Sequence, residues 1–255
     1  MLNSSHEEYK MMFEVEERLW WYKILHEKVL GAIHHHHGQN KTIKILDIGC
    51  GTGGLLLFLQ KNGYTHIQGV DYSDSSIFFC QKRQLSVQKV SADQVSSVFT
   101  DEQFDVIVCN DVLYCLEKQQ IRQTLIEIGK LLKPQGVFVS NNNAFDAFYG
   151  THDIAVGGKH RFTVSSFSQY LPQSLAIRSA SYWSVLLSPL ILAVRFSQQI
   201  QLKLGLIDPT KIVSDVSLPA NWLNNFFYQL VKLEEQLLKK GFFGSSLFLT
   251  LSKTT

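Results

Sequence analysis

The chain is 255 residues long, 45% hydrophobic and 18% charged, with a formal net charge of +2 at pH 7. That length accommodates one α/β domain with insertions. So small a net charge supplies neither the basic stripe of a nucleic-acid binder nor a strong attraction to a charged membrane.

The first segment, with Glu7, Glu8, Lys10, Glu14, Glu16 and Glu17, does not have the pattern of a secretory signal. Residues 7–33 read as one helix, because Met12, Val15, Leu19, Tyr22 and Leu25 recur at three-to-four spacing. His34, His35, His36 and His37 read as a solvated loop before Gly38. Ile45, Leu46 and Ile48 then form a short apolar run, as in a buried parallel strand. Gly49, Gly51 and Gly53 follow, and an apolar helix opens at Leu55. Glycines at that spacing allow a tight turn and let bare backbone approach a ligand. Further strands are expected near 67–71, 87–91, 104–110 and 136–141, with helices between them. This alternation predicts a doubly wound parallel sheet. Cys50, Cys80, Cys109 and Cys115 lack C-x-x-C spacing and read as small buried residues, not a disulfide or zinc framework. The longest apolar run, residues 185–194, contains Ser188 and Pro189 and is too short to span a bilayer. These properties fit a cytoplasmic enzyme.

Gly49, Gly51 and Gly54 formally satisfy the dinucleotide pattern G-x-G-x-x-G. Asp47 argues against it: a carboxylate at the strand end faces a pyrophosphate badly and pairs well with a cation. Asp71 ends the next strand, where an acid can hold both hydroxyls of a ribose in either cofactor.

Asp47-Ile48-Gly49-Cys50-Gly51-Thr52-Gly53, followed by Gly69-Val70-Asp71-Tyr72-Ser73, resembles the class I S-adenosylmethionine-dependent methyltransferases. Ser91-Ala92-Asp93, residues 104–110 and residues 131–139 agree with the same family. The resemblance covers roughly residues 44–141 and implies a Rossmann-like seven-stranded sheet with its last strand antiparallel. Candidates for the two additional strands are 175–183 and 246–252. The chain then divides into an N-terminal helical lid (1–40), a cofactor-binding core (41–145), an acceptor-side cap and insertion (146–245) and the last strand (246–255).

The resemblance implies S-adenosyl-L-methionine as cofactor. Gly49, Cys50, Gly51 and Gly53 would face its methionine part, with Asp47 near the amino group. Asp71 and Tyr72 would meet the ribose, and Ala92 and Asp93 the adenine. Asn110 would border both methionine and acceptor. Asp93 has a second reading as a helix N-cap, and Asn110 as a strand-end cap. Trp21 and Tyr22 either exclude water from the methyl or pack the helix. Relatives often carry an arginine one turn later. Ile24, Leu25 and His26 stand there, which leaves Lys23 or His26 as substitutes.

The acceptor leaves fainter marks, because an activated methyl requires only orientation, exclusion of water and sometimes proton removal. His152 and His160 are candidate bases and Tyr149 a candidate orienting group; exposed loop residues are the alternative. Quinone-type relatives show Val-Leu-Glu-His after strand four. Val112-Leu113-Tyr114-Cys115 offers no hard oxygen cage here, so no metal is expected. In residues 223–237, Leu223, Phe226, Phe227, Leu230, Leu233 and Leu237 mark one helical face, and Gly241 suits its end. Ser214-Asp215, Leu218-Pro219 and Phe243-Gly244 resemble a subset with an enlarged cap that serves small molecules, glycans or lipid-linked acceptors. Residues 184–204 suit an apolar lid, a helix in peripheral contact with a membrane, or a core or homodimer interface. Two functions remain: a methyltransferase acting on oxygen or nitrogen of such an acceptor, and a non-catalytic cofactor-binding partner subunit. A nicotinamide dehydrogenase is a weaker third.

Overall fold

The computed structural model describes residues 6–208, 212, 216–238 and 240–254. Strand β1 (Ile45–Ile48) is buried at every position, as an apolar run in the middle of a parallel sheet must be. It pairs in parallel with β2 (Ile67–Asp71) and β4 (Phe104–Asn110). Outward on either side lie β3 (Val87–Lys89) and β5 (Leu132–Asn143), also parallel. Beyond β5 the direction reverses. β7 (Ser246–Lys253) runs antiparallel between β5 and β6 (Leu175–Trp183), giving the order β3-β2-β1-β4-β5-β7-β6. This is the expected seven-stranded α/β sheet with an antiparallel last strand. The strand order turns back between β1 and β4, so their carboxyl ends diverge and leave a crevice, the usual ligand position in such sheets.

Helices cover both faces. On one, Ile121, Leu125 and Ile128 of α5 (Lys118–Leu131) pack on Leu46, Ile48, Ile107 and Phe138. On the other, Val29 and Ile33 of α2 (Trp20–His37) and Leu55 and Leu59 of α3 (Gly54–Lys61) pack on Ile45, Val106, Val108 and Val137.

The N-terminal region departs from the single helix read from its periodicity. It is two helices, α1 (His6–Val15) and α2, broken at residues 16–19. The break lets the Glu16 carboxylate turn inward onto Thr52 Oγ1 and Arg83 Nη1. Apolar spacing does not register it, because Val15 and Leu19 are buried on either side. The histidine run is not a loop: His34 to His37 form the last turn of α2, where histidines suit the negative end of the helix dipole.

Helix α4 (Asp74–Lys82) joins β2 to β3, and α6 (Thr151–Val156) and α7 (Val164–Ser168) lie between β5 and β6; after β6 come α8 (Ser188–Lys203) and α9 (Asn221–Leu237). α9 packs on α2 through Phe227, Tyr228, Leu230 and Val231, beside Ile24, Leu25 and Trp183. Asn224 ties the two together, accepting the Trp20 N–H at 2.9 Å and donating to the Arg18 carbonyl. The apolar face expected on α9 is only partly used: Phe226, Leu233 and Leu237 are exposed. The helix carries more apolar surface than a single neighbouring helix covers. Gly241 lies beyond the end of α9, and its missing side chain serves another purpose. A Cβ there would stand 1.8 Å from the Tyr182 carbonyl oxygen. Ser214 and Asp215 lie outside the described residues.

Candidate cofactor site and the space beyond it

A cavity of about 710 Å³ opens at the divergence of β1 and β4. Its floor is the bend from Gly49 to Gly53, held by a set of local bonds. Gly49 and Cys50 both donate to the Val70 carbonyl, at 2.8 and 3.0 Å. Asp71 accepts the Gly51 N–H at 3.0 Å through one oxygen and the Ser73 N–H at 2.9 Å through the other. Ser76 Oγ donates to the Gly51 carbonyl. Gly51 sits at φ +56°, where a β-carbon would be strained, and Met12 covers it.

Asp47, Gly49, Cys50, Gly51, Asp71, Tyr72, Ala92, Asn110, Trp21 and His152 all line this cavity. Gly53, Asp93, Tyr149 and His160 do not. Gly53, at φ +83°, caps α3, and a β-carbon would lie 2.5 Å from Leu85 Cδ1, so its need is packing. Gly54 is required for a different reason than the dinucleotide pattern supplies: its missing side chain makes room for the Glu16 carboxylate, 2.4 Å from an ideal β-carbon. Asp93 lies inside a 3₁₀ turn (Ala92–Ser97) whose N-cap is Ser91, and it accepts from Ser91 Oγ and Gln120 Nε2. Ser91, Ala92 and Gln120 form the wall in front of it. Tyr149 is 41% exposed, and its carbonyl accepts from Gln199. His160 turns away beside Phe162, with Nε2 buried and unbonded; burial, with Lys118 nearby, lowers its pKa.

The glycine end of the cavity is acidic. Asp47 is pushed up to about 8 by burial and by the neighbouring Asp71 and Glu16 charges. Asp71 is also raised by burial, against the pull of its backbone hydrogen bonds. Glu16 is compensated by Arg83, both side chains being buried. A buried carboxylate with two acidic neighbours asks for a cation, which an ammonium supplies and a pyrophosphate cannot. Above the bend the N-terminal helices form a roof through Tyr9, Met12, Glu16, Trp20, Trp21 and Tyr22. Trp21 stacks on Trp183 at 5.7 Å. His26 lines the cavity as well, and burial lowers it to about 4, so it faces the site as a neutral ring. Lys23 instead lies over the Tyr228 ring.

Sequence reasoning passed over Asp111. It follows β4 at φ +56°, lines the cavity and is held by Asn141 Nδ2. Burial pushes it up to about 7, against the pull of Asn141 and of His152. Glu8, Tyr9, Tyr114, Arg161 and Arg195 are further wall residues not singled out. Arg161 is committed to Asp153 through Nε at 2.9 Å and Nη2 at 3.0 Å. Among the described residues no group of three His, Cys, Asp or Glu side chains is placed to hold a metal.

A cation-seeking glycine bend, an acid ending β2 and a sheet of this order together define a class I methyltransferase fold with a site for S-adenosylmethionine. Comparison with known proteins agrees. Residues 45–136 match the methyltransferase domain family. A Geobacillus sp. protein whose name says methyltransferase is 33% identical over 109 residues, covering 40% of this chain and 43% of its own. The ubiquinone biosynthesis O-methyltransferase of Rickettsia typhi is 25% identical over 143 residues, covering 50% and 56%. The chain thus spans about half the length of these curated relatives. The crystal structure of the [4+2]-cyclase SpnF shares the fold over 89% of this chain and 80% of that one, with a TM-score of 0.55 at 15% identity. Residues 45–136 therefore match a methyltransferase domain, and the sheet that holds them has the class I order.

Proposed function

We propose that this protein is a cytoplasmic enzyme transferring the methyl group of S-adenosylmethionine to an oxygen or nitrogen of a small-molecule, glycan or lipid-linked acceptor. The observation that carries this reading is the cavity itself. It continues without interruption from the acids of the glycine bend, past Asn110, to Asp111, Asn143 and His152. A cofactor-binding subunit without catalysis needs no such space. The residues present fit the cofactor. Asp47 would hold its ammonium, Asp71 its ribose hydroxyls, and the Gly49–Gly51 backbone its methionine part, while Ser91 and Ala92 border the adenine. When bound, it supplies an electrophilic methyl on a sulfonium.

The chain's own work is then positioning, drying and proton removal. Trp20, Trp21 and Tyr22 exclude water from above. Asp111 takes the acceptor proton onto a carboxylate oxygen as the heteroatom gains its methyl. His152 shares the charge of Asp111 and steadies its ionised form. Division into lid, core, cap and last strand follows the same reading: α1 and α2 would roof the cofactor, and described residues between 146 and 245, such as His152 and Arg195, would supply the acceptor side.

The test is calorimetry with S-adenosylmethionine and with NAD, followed by assay of S-adenosylhomocysteine release across amine, hydroxyl and glycan acceptor panels. Binding of NAD in preference would overturn the reading. Tight cofactor binding with no release from any acceptor would favour the partner-subunit alternative.

A further inference from the structure

The outer side of α8 has no partner among the described residues and carries no acidic side chain. Leu190, Val194, Phe196, Ile200 and Leu204 are all exposed, Phe196 at 66% and Leu204 at 67%, and Leu206 follows at 71%. Alanine and serine fill the positions between them (Ala193, Ser197). A helix facing water normally places charge there. The inner side of the same helix serves the site: Ile191 and Arg195 line the cavity. The apolar face is thus continuous with the rim of the cavity.

Charge distribution indicates what covers this face. From residue 154 to residue 207 there is no Asp or Glu; Lys159 and Arg161 pair with Glu117 and Asp153 outside that stretch, and the charged residues of α8 itself, Arg195 and Lys203, are both basic. Lys203 is exposed and follows Phe196 by seven residues, so it flanks the apolar face where it can reach an anionic headgroup. No described helix is long and apolar enough to cross a membrane. A sixteen-residue helix is about 24 Å long and suits the interfacial plane, apolar side down.

We propose that the outer face of α8 docks on an anionic lipid surface and brings the mouth of the cavity to a membrane-borne acceptor. The acceptor half of this statement rests on the methyltransferase reading; the docking half does not.

Co-sedimentation of the full chain with phosphatidylcholine vesicles, and with vesicles of phosphatidylcholine and phosphatidylglycerol, tests it. The protein should partition onto the anionic vesicles. Leu190→Glu and Phe196→Glu should each weaken that partition about tenfold or more, because each removes an apolar anchor and adds a repelled charge. Both variants should keep the wild-type affinity for S-adenosylmethionine, which also shows that they fold. Absence of vesicle binding, or equal binding by both variants, would overturn the proposal. So would light scattering that shows a dimer which either variant splits, since the face would then be covered by a second copy. If vesicle binding behaves as expected while no protein binds S-adenosylmethionine, the docking surface stands and the methyltransferase reading fails.

Discussion

Asn141 of β5 donates from a single amide nitrogen to both oxygens of Asp111, at 3.1 and 3.2 Å. The other end of the same amide is held as well, since Asn141 Oδ1 accepts the Trp183 indole N–H at 2.8 Å. Its backbone N–H meets Asn110 Oδ1 at 2.9 Å. The carboxylate at the far end of the cavity is therefore fixed through three elements of the sheet.

Asp111 should govern the rate. Asp111→Asn should lower kcat by about 10²–10⁴, with cofactor affinity little changed. A base must be ionised to act, so the wild-type rate should climb with pH through about 7. In Asp111→Asn that limb should vanish. Asn141→Ala removes bonds that favour the charged form, so the limb should move to higher pH. A pH profile of kcat at saturating cofactor reads all three.

Asp71 should govern binding. It both braces the Gly51 N–H and faces the cavity. Asp71→Asn should weaken S-adenosylmethionine binding by about 10–100-fold, the scale of lost hydrogen bonds to a charged group. Isothermal calorimetry checks the value, and circular dichroism confirms the fold.

Asp47 should make the unliganded protein less stable as pH rises. Unfolded, it loses its proton near the ordinary value of 3.8; folded, it keeps the proton to about 8. Between these values the folded state binds more protons than the unfolded one, so stability falls as pH climbs, by at most about 1.4 kcal/mol per pH unit. Asp111 adds to the same trend up to about 7. Asp47→Asn should flatten the dependence of Tm on pH above that point, and a bound ammonium should have a similar effect in the wild type. Scanning calorimetry from pH 5 to pH 8.5, on the order of half-unit steps, tests this.

Breaking the Glu16–Arg83 pair should loosen the roof. Arg83 also donates to the carbonyls of Thr52 and Phe13, so it joins the N-terminal break to the glycine bend. Arg83→Met leaves a buried carboxylate without its cation, held by Thr52 Oγ1, and should cost about 3–5 kcal/mol. Adding Glu16→Gln to it should restore part of that loss. Urea unfolding of the single and double variants measures it.

The middle of the sheet was legible because β1 and β4 are largely apolar runs closed by Gly49 and by Asn110-Asp111, and the cofactor floor was legible because a bend of bare backbone needs particular residues. Less local features were hidden. Glu16 reads as one of several acids on a solvated helix; its burial depends on Arg83, sixty-seven positions away. Asp111 reads as a loop residue, since neither its left-handed backbone nor the Asn141 clamp leaves a periodic trace. His152 and His160 look alike as loop histidines in the sequence, yet only His152 lies on the cavity wall. The exposed stripe of α9 has the same spacing as its packed one, so periodicity alone could not divide them.

Cys50 lies in the cavity floor, on the bend whose backbone would hold the methionine part of the cofactor. A thiolate there would be a nucleophile ready to consume the reagent and scar the enzyme. Its hydrogen-bonded neighbour Cys80, burial, and the Asp47 and Asp71 charges all drive its pKa well above that of a free thiol. The acids that attract the cofactor thus also disarm the one sulfur in that floor that could attack its methyl, and the fold protects itself from its own chemistry.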